Sequence, residues 1–340
     1  MKINKTLITL WGLFSLLLLL ISCGTEDESP TATPVEMETS SATAVSTPVE
    51  PLPTELPTIE PTMTPEPLYS LDWKLADEEI IAYKTAMEPG ENTNTAMSFN
   101  FDQLFAETDA PDGLRDQLSN ITFPDTFSMV TILQKNPVGN ISVKLIVDEV
   151  EEVENEAGNP IGDTINQMMG DMEGTVQLRG ELTPEGTIAS FYLEQNQRNL
   201  LAMLFELPSA PVHVSDSWEI DVNCVAMGHG FIASDANRIN KVTLASVEEN
   251  DAGQAVAYLE YVIAETVDGD FLFPFSDDPI PTSMNCSFLG QGSFLIEEGR
   301  WEQFTGEFRI FATGMVESDT VQQFALTPLE DIPQEYVDIK

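Results

Sequence analysis

The sequence predicts a mainly β protein of the α+β kind, with large curved antiparallel sheets built from hairpins and one or two short covering helices. Three observations predict it. Apolar and polar residues alternate at period two through most of the chain after Tyr69. Turn clusters such as Asn136-Pro137-Val138-Gly139 and Asn250-Asp251-Ala252-Gly253 separate the alternating runs. Only Asn196 to Phe205 shows a clear one-face helical spacing, through Leu200, Leu201, Leu204 and Phe205. Strands joined by tight turns pair antiparallel, so such a pattern gives a meander.

The elements follow in order. Tyr69 to Leu75 alternates and reads as a first strand, and Ile80 to Met87 is a second after a turn at Asp77. Short helical or loop segments are expected at Phe101 to Phe105 and at Gly113 to Leu118. Phe127 to Leu133 and Ile141 to Val147 form the firmest hairpin, because Asn-Pro-Val-Gly is strong turn chemistry. Ile161 to Met172 reads as a short helix or lid-like loop. Gly174 to Glu181 and Thr187 to Glu194 pair across Thr183-Pro184-Glu185-Gly186, and the helix Asn196 to Phe205 follows. Beyond Leu207-Pro208-Ser209-Ala210-Pro211-Val212 the chain returns to a strand at Trp218 to Val222. Two further hairpins are expected, Lys241 to Glu248 with Ala255 to Ala264, and Gly292 to Ile296 with Trp301 to Phe311. The order of Trp strand, hairpin, insert and hairpin occurs twice. It suggests two similar halves, 69–205 and 215–340, with Trp73 and Trp218 in equivalent places.

The body is preceded by two segments of different character. Lys2 and Lys5 come before an apolar run from Leu7 to Ile21 that ends in Leu20-Ile21-Ser22-Cys23. A basic start, an apolar stretch and a small residue before the cut are the marks of a secretion signal over 1–22, and the cysteine resembles the lipobox of bacterial lipoproteins. In that family the cysteine becomes the lipidated N-terminus, so the resemblance implies lipid attachment at Cys23. An uncleaved transmembrane helix is the alternative reading. Residues 23–68 are rich in Thr, Pro, Ser and Glu and hold too little apolar surface to offset ordering entropy. They read as a stalk of roughly forty-five residues that could reach about 140 Å if fully extended at ~3.1 Å per residue.

The 340 residues carry a formal charge of −43. Such a field repels nucleic acid and anionic lipid alike, so nucleic acid is not an expected partner and a covalent lipid is the expected hold on the membrane. Of the three cysteines, Cys224 and Cys286 are left after Cys23. In an exported chain they are expected to form a disulfide closing about sixty residues and worth roughly 2–4 kcal/mol. The rival is a metal site with His229, for which no fourth ligand stands at zinc spacing.

Reaction chemistry is not evident. The chain has two histidines, His213 and His229. It has no Gly-x-Ser-x-Gly elbow, no phosphate-cradling glycine loop and no His-Glu-x-x-His helix. Gly228-His229-Gly230 reads as an exposed loop. The acidic runs Asp148 to Glu154 and Asp268-Gly269-Asp270 with Asp277-Asp278 suit calcium in composition but match no complete loop spacing. Paired carboxylates for glycoside hydrolysis converge only in space and are not legible among 57 acidic residues. Met168, Met169 and Met172 read as core filling. The Asn120, Asn140 and Asn285 sequons are weak matches that chance supplies, and the lipobox resemblance implies a bacterial chain, in which they usually carry no meaning. No catalytic residue, metal or cofactor is assigned.

Leu207-Pro208-Ser209-Ala210-Pro211-Val212-His213-Val214-Ser215-Asp216-Ser217-Trp218 resembles the Leu-Pro-x-x-Pro-Val-x-x-Gly-Asp-Ser-Trp signature of an uncharacterised family of bacterial lipoproteins and exported proteins. Trp73-Lys74-Leu75 with Tyr83, and Thr183-Pro184-Glu185-Gly186 before a strand, agree with it. Ser215 stands where that family has glycine. The resemblance carries no catalytic residues. Anchor, stalk and β body together lead to the expectation of a binding or scaffolding module at the outer face of a cell membrane, with an apolar small molecule or an envelope protein as partner. An extracellular carboxylate-dependent hydrolase and a purely structural surface protein are the alternatives.

Overall fold

Each predicted hairpin pairs with its sequence neighbour, and the pairs join into one large open antiparallel sheet. A computed structural model of the chain describes residues 66–90, 98–99, 127–152, 160–192, 195–223, 225, 231–272 and 279–339. The early strands are β1 (Ile80–Pro89), β2 (Ser98–Phe99), β3 (Phe127–Lys135), β4 (Ile141–Val150), β5 (Val176–Leu182) and β6 (Ile188–Tyr192). The later ones are β7 (Ser217–Glu219), β8 (Phe231–Glu249), β9 (Ala255–Phe271), β10 (Ile280–Leu295), β11 (Arg300–Thr313) and β12 (Val316–Pro328). The helices are α1 (Pro160–Met172), α2 (Gln195–Phe205) and α3 (Gln334–Asp338).

Eleven strands run in the order β6-β5-β4-β3-β1-β12-β11-β10-β9-β8-β7, and β2 adds to the end of β12. The first and last long strands pair at the centre, Thr85 opposite Leu326. The sheet edges, β6 and β7, are joined by α2 and the residues after it. One large sheet stands where one or two were expected. Strands β8, β9 and β10, at 19, 17 and 16 residues, are also longer than predicted, by a factor of about two for β8 and β9 and about three for β10. The first half of β8 hides from a periodicity reading because Ile232 to Ile239 is exposed throughout and mostly small or polar. Strand β12 was not predicted for the same reason: from Val316 to Gln323 it is largely polar, and only Phe324 and Leu326 mark the core side.

Tyr69 to Leu75 is not a strand of the sheet. Tyr69 makes one bridge to Val212, with N–H to O distances of 2.9 and 3.0 Å in the two directions. The Trp73 N–H donates to the Pro184 carbonyl at 2.7 Å, and the Lys74 N–H donates to that of Gly299 at 3.1 Å. The segment is thereby stitched to the β5–β6 and β10–β11 turns. Gly299 has φ +63, and a Cβ there would collide with the backbone of Asp72 and Lys74, so the close approach requires glycine. The segments at Phe101 to Phe105 and Gly113 to Leu118 lie outside the described residues.

Strict alternation in β9 and β10 gives the sheet an inner and an outer face. The inner face carries the main core: Leu133, Leu145, Leu178, Leu259, Phe288 and Phe304 from the strands, and Leu201, Leu204 and Phe205 from α2. Helix α2 ends on this face. The carbonyls of a last helical turn have no intrahelical donor, and here two indoles supply one. Trp301 Nε1 donates to the Leu204 carbonyl at 2.8 Å, and Trp73 Nε1 donates to that of Phe205 at 2.9 Å. The rings form one cluster, with Trp73 5.5 Å from Phe294 and Phe294 5.2 Å from Trp301, both edge to face.

Trp301 is fixed in turn by a register shift. Ser293 pairs with Gln303 and Phe294 with Trp301, so β11 bulges there. The Tyr83 hydroxyl, on β1, accepts from the Trp301 N–H at 3.1 Å and reaches its carbonyl at 3.4 Å. Burial pushes the Tyr83 phenol pKa well up, against the Trp301 bond. It stays protonated and able to donate. Trp218 sits half-buried in β7 with no partner for its Nε1 among the described residues, whereas Trp73 is 2% exposed and outside any strand. The two tryptophans are thus not alike in setting.

The outer face of β1, β3 and β4 is covered by the chain after β12. Ala82, Val130, Ile132 and Ile146 pack with Tyr336 of α3, and Leu329, Ile332 and Ile339 close the edge. The Leu329 N–H donates to the Ala82 carbonyl at 2.8 Å, and Lys144 Nζ to that of Ile339 at 2.5 Å. Asp148 is the polar centre, taking Lys84 Nζ at 2.9 Å, the Tyr336 hydroxyl at 3.0 Å and the Ser128 hydroxyl at 3.2 Å. Burial acts to raise the Asp148 pKa, but the bonds from Lys84, Tyr336 and Ser128 and the Lys84 charge outweigh it, and the net direction is down.

Two predictions follow from these contacts. Trp73→Phe and Trp301→Phe keep the aromatic bulk and leave a buried carbonyl unpaired. Each should lower unfolding free energy by roughly 1–3 kcal/mol in a denaturant titration, and a loss below about 0.5 kcal/mol would show that the caps are dispensable. A carboxylate with a lowered folded pKa stabilises above its ordinary value of ~3.9 and loses that contribution as pH falls through the lower folded value. The protection of amides in 329–339, relative to their intrinsic exchange rate at the same pH, should therefore fall as the wild type is acidified below about pH 4, and Asp148→Asn should show the lower protection already at neutral pH.

Candidate functional site

The residues singled out by resemblance form a structural junction. Leu207, at 3% exposure, packs against the β5–β6 turn, and its N–H reaches the Gly186 carbonyl at 3.3 Å. Val212 holds Tyr69. His213 Nδ1 lies 3.0 Å from the Pro67 carbonyl, and the Asp216 carboxylate accepts from the His213 N–H at 2.7 Å. Ser215 has φ +74, the left-handed conformation that glycine adopts without strain. Its N–H donates to the Leu244 carbonyl at 2.7 Å, which starts β7 against β8. These residues seat the first described residues, Glu66 to Tyr69, beside the sheet edge. None is arranged for proton transfer or nucleophilic attack.

Cys286 lies on the inner side of β10 at 2% exposure, in register with Glu265 of β9. Cys23, Cys224 and His229 lie outside the described residues. Val225 does not, and its N–H donates to Glu265 Oε2 at 2.9 Å, while Arg238 holds Glu265 Oε1 at 2.6 Å. The Glu265 side chain is 1% exposed. A buried carboxylate needs a counter-charge and hydrogen bonds to be tolerated, and Arg238 and Val225 supply them. The residue after Cys224 is thereby fixed one strand away from Cys286. Sequence spacing alone did not reveal this clasp.

The acidic runs separate. Asp148 is committed to Lys84 and Tyr336. Asp268 and Asp270 point outward from β9, and Asp277 and Asp278 lie outside the described residues. Among the described residues no group of three or more His, Cys, Asp or Glu side chains is placed to hold a metal. Asp77 and Glu185 have carboxyls held below the ordinary value, the first by Lys135 and the second by backbone and Thr183 hydrogen bonds. Met169 and Met172 are half-buried on α1, and the Met168 side chain is not among those described. Asn140 reaches Glu181 at 3.4 Å and Asn285 reaches Thr266 at 2.9 Å, while Asn120 lies outside the described residues.

The inner face is filled by the protein's own rings. The Tyr261 hydroxyl is buried there without a hydrogen-bond partner among the described residues, and burial, with the Glu206 charge, pushes its pKa far up. The opening is on the other side. A shallow depression of about 360 Å³ lies on the outer face of β9 to β12, edged by Glu260, Val262, Leu289, Gln291, Thr305 and Glu307. Its floor is the backbone of Gly290 and Gly306, which are register partners. Both are glycine because the Phe288 ring lies flat against them from the inner side, where a Cβ on either would collide with it. Gln323 Nε2 donates to Glu307 Oε2 at 3.0 Å. No residue of this edge was a candidate in the sequence; only the exposed Leu289 in an alternating strand hinted at it.

Ser215→Gly removes a left-handed strain of roughly 1–2 kcal/mol against a smaller entropic cost of glycine. The variant should unfold at higher denaturant, by up to about 1 kcal/mol; a destabilised variant would show that the Ser215 side chain contributes more than its backbone strain costs. Compared with protein-family models, with curated proteins and with solved structures, the chain matches none.

Proposed function

We propose that the chain is a lipid-anchored extracytoplasmic module that binds or scaffolds a component of the cell envelope. The membrane hold is Cys23, and the tether is the 23–68 stalk, whose last residues, from Glu66, are described beside the sheet. No described helix is long and apolar enough to cross a membrane. Residues 66–75 are fastened at the end of the sheet that carries the β5–β6 and β10–β11 turns, so the tether leaves from that end. The opposite end and the outer face project away from the attachment.

The observation that carries this reading is the contrast between the two faces. The inner face is packed by Trp73, Trp301, Phe288, Phe304 and α2, and no described residue covers the outer face of β8 to β11. Among the described residues this favours an envelope partner docked outside over an apolar small molecule held inside. We also propose the Cys224–Cys286 disulfide, supported by the Glu265 clasp. The two-half architecture is likewise a proposal. β1-β3-β4-β5-β6 and β7-β8-β9-β10-β11 cross the sheet in the same sense, with β12 between them.

In membrane fractionation, Cys23→Ala should move the protein from the membrane to the soluble extracytoplasmic fraction. Retention of the variant in the membrane would contradict the anchor. Native mass spectrometry of the purified protein should show no acyl lipid beyond the one covalently attached, and a stoichiometric non-covalent lipid would restore the internal-ligand reading.

A further inference from the structure

Six of the large apolar side chains that stay exposed, Ile232, Ile239, Tyr258, Val262, Leu289 and Phe311, belong to β8 to β11; Tyr258, Val262 and Leu289 alternate with core positions of β9 and β10, and Ile232 and Ile239 lie in the exposed first half of β8. They do not form a continuous apolar patch. Val262 and Leu289 are register partners, but Tyr258 sits opposite Ser293, and Phe311 opposite Asn285. Hydroxyls, amides and the carboxylates of Glu260 and Glu307 fill the space between. The outward positions of β10 are Pro281, Ser283, Asn285, Ser287, Leu289, Gln291 and Ser293, all uncharged in a chain with a formal charge of −43.

The chemistry of this face restricts what it can bind. Anionic ligands are disfavoured by the field of the protein: of the cations on this face, Arg309 is paired with Asp319 at 2.8 Å, and Lys241, the register partner of Val262, is outnumbered by the edge carboxylates Glu260 and Glu307. A folded protein partner would need an apolar centre with a polar rim, and here isolated rings and aliphatics are separated by polar groups. What fits is a ligand that is uncharged, flat on its faces and rich in hydroxyls. Its C–H faces lie on the Tyr258 and Phe311 rings and on Leu289. Its hydroxyls exchange hydrogen bonds with groups such as Gln291, Thr305 and Glu260, which stand in or beside the depression. From the Phe311 row to the Tyr258 row is eight residues, about 27 Å at the rise of a strand, so the ligand is a chain and not a single ring.

We propose that the outer face of β9 to β11 is a binding site for a neutral polysaccharide, with the depression over Gly290 and Gly306 as its centre. This rests on the reading of the protein as an envelope-binding module and names the partner's class. The site is broad and shallow, as suits a polymer lying along the strands.

The test is an array of neutral glycans carrying hexose, pentose and N-acetylhexosamine chains in both anomeric linkages, with uronate and phosphorylated chains for comparison. The probe is the full chain purified in uncharged detergent. At least one neutral chain should bind. Phe311→Ala, Tyr258→Ala and Ser287→Glu should each weaken it tenfold or more without shifting the thermal unfolding midpoint, and Val138→Ala, exposed on the β3–β4 turn, should not change it. Binding of no neutral chain, of charged chains only, or equally by the wild type and Ser287→Glu would overturn the proposal. Because the array uses detergent-purified protein, its failure leaves the anchor reading standing, and failure of the Cys23 fractionation leaves the glycan result standing.

Discussion

Helix α2 crosses the inner face and ends on two tryptophans, and much of the fold is organised by that ending. A helix terminus buried in a core brings unpaired carbonyls with it, each costing roughly 1–3 kcal/mol if left alone. Trp73 and Trp301 reach these carbonyls from different parts of the chain, one before the first strand and one on β11. The two donors therefore tie the start of the body, the helix and the centre of the sheet into a single constraint. Tyr83 extends it to β1, since its hydroxyl holds the backbone of Trp301 beside the bulge.

Several other features make sense as consequences. The segment 66–75 must lie at the turn end of the sheet so that Trp73 can reach Phe205, and Gly299 must be glycine to let it pass. The inner face then has its volume taken up by rings, with Gly290, Gly292 and Gly306 making room for Phe288, Phe304 and Trp301. A face packed to this degree serves stability. Under the proposed function, recognition falls to surfaces the core does not use, which on the described residues means the outer face beyond the patch covered by α3. Under the proposed function the direction of the tether follows from the same geometry, because residues 66–75 are fastened where Trp73 is held.

The hairpins around Asn136 to Gly139, Thr183 to Gly186 and Asn250 to Gly253 were legible because turn chemistry and alternation agree there. So was α2, whose leucines share one face. Tyr69 to Leu75 misled because an extended segment with a buried Trp and Leu alternates like a strand even when its hydrogen bonds go to turns. The upper half of β8 and the polar start of β12 were illegible for the converse reason. Their ladder bonds are made by backbone, while their side chains carry little of the apolar pattern on which the reading depends. The Glu265 clasp and the outer-face depression come from register between distant strands, which a single sequence does not display. The signature around Asp216 was visible as a motif, and its structural meaning came only with the φ of Ser215 and the contacts of His213.

The central claim is that α2 is part of the core and not a lid over a ligand cavity. Native-state hydrogen exchange on α2 and on β9 to β11, followed over a range of denaturant, tests it most directly. The account predicts that the amides of Leu201 to Phe205 exchange only through the same global opening as the central strands, with equal free energy and denaturant dependence. Exchange of α2 through a local opening several kcal/mol cheaper than that of the strands would contradict it and would mark the helix as a movable cover.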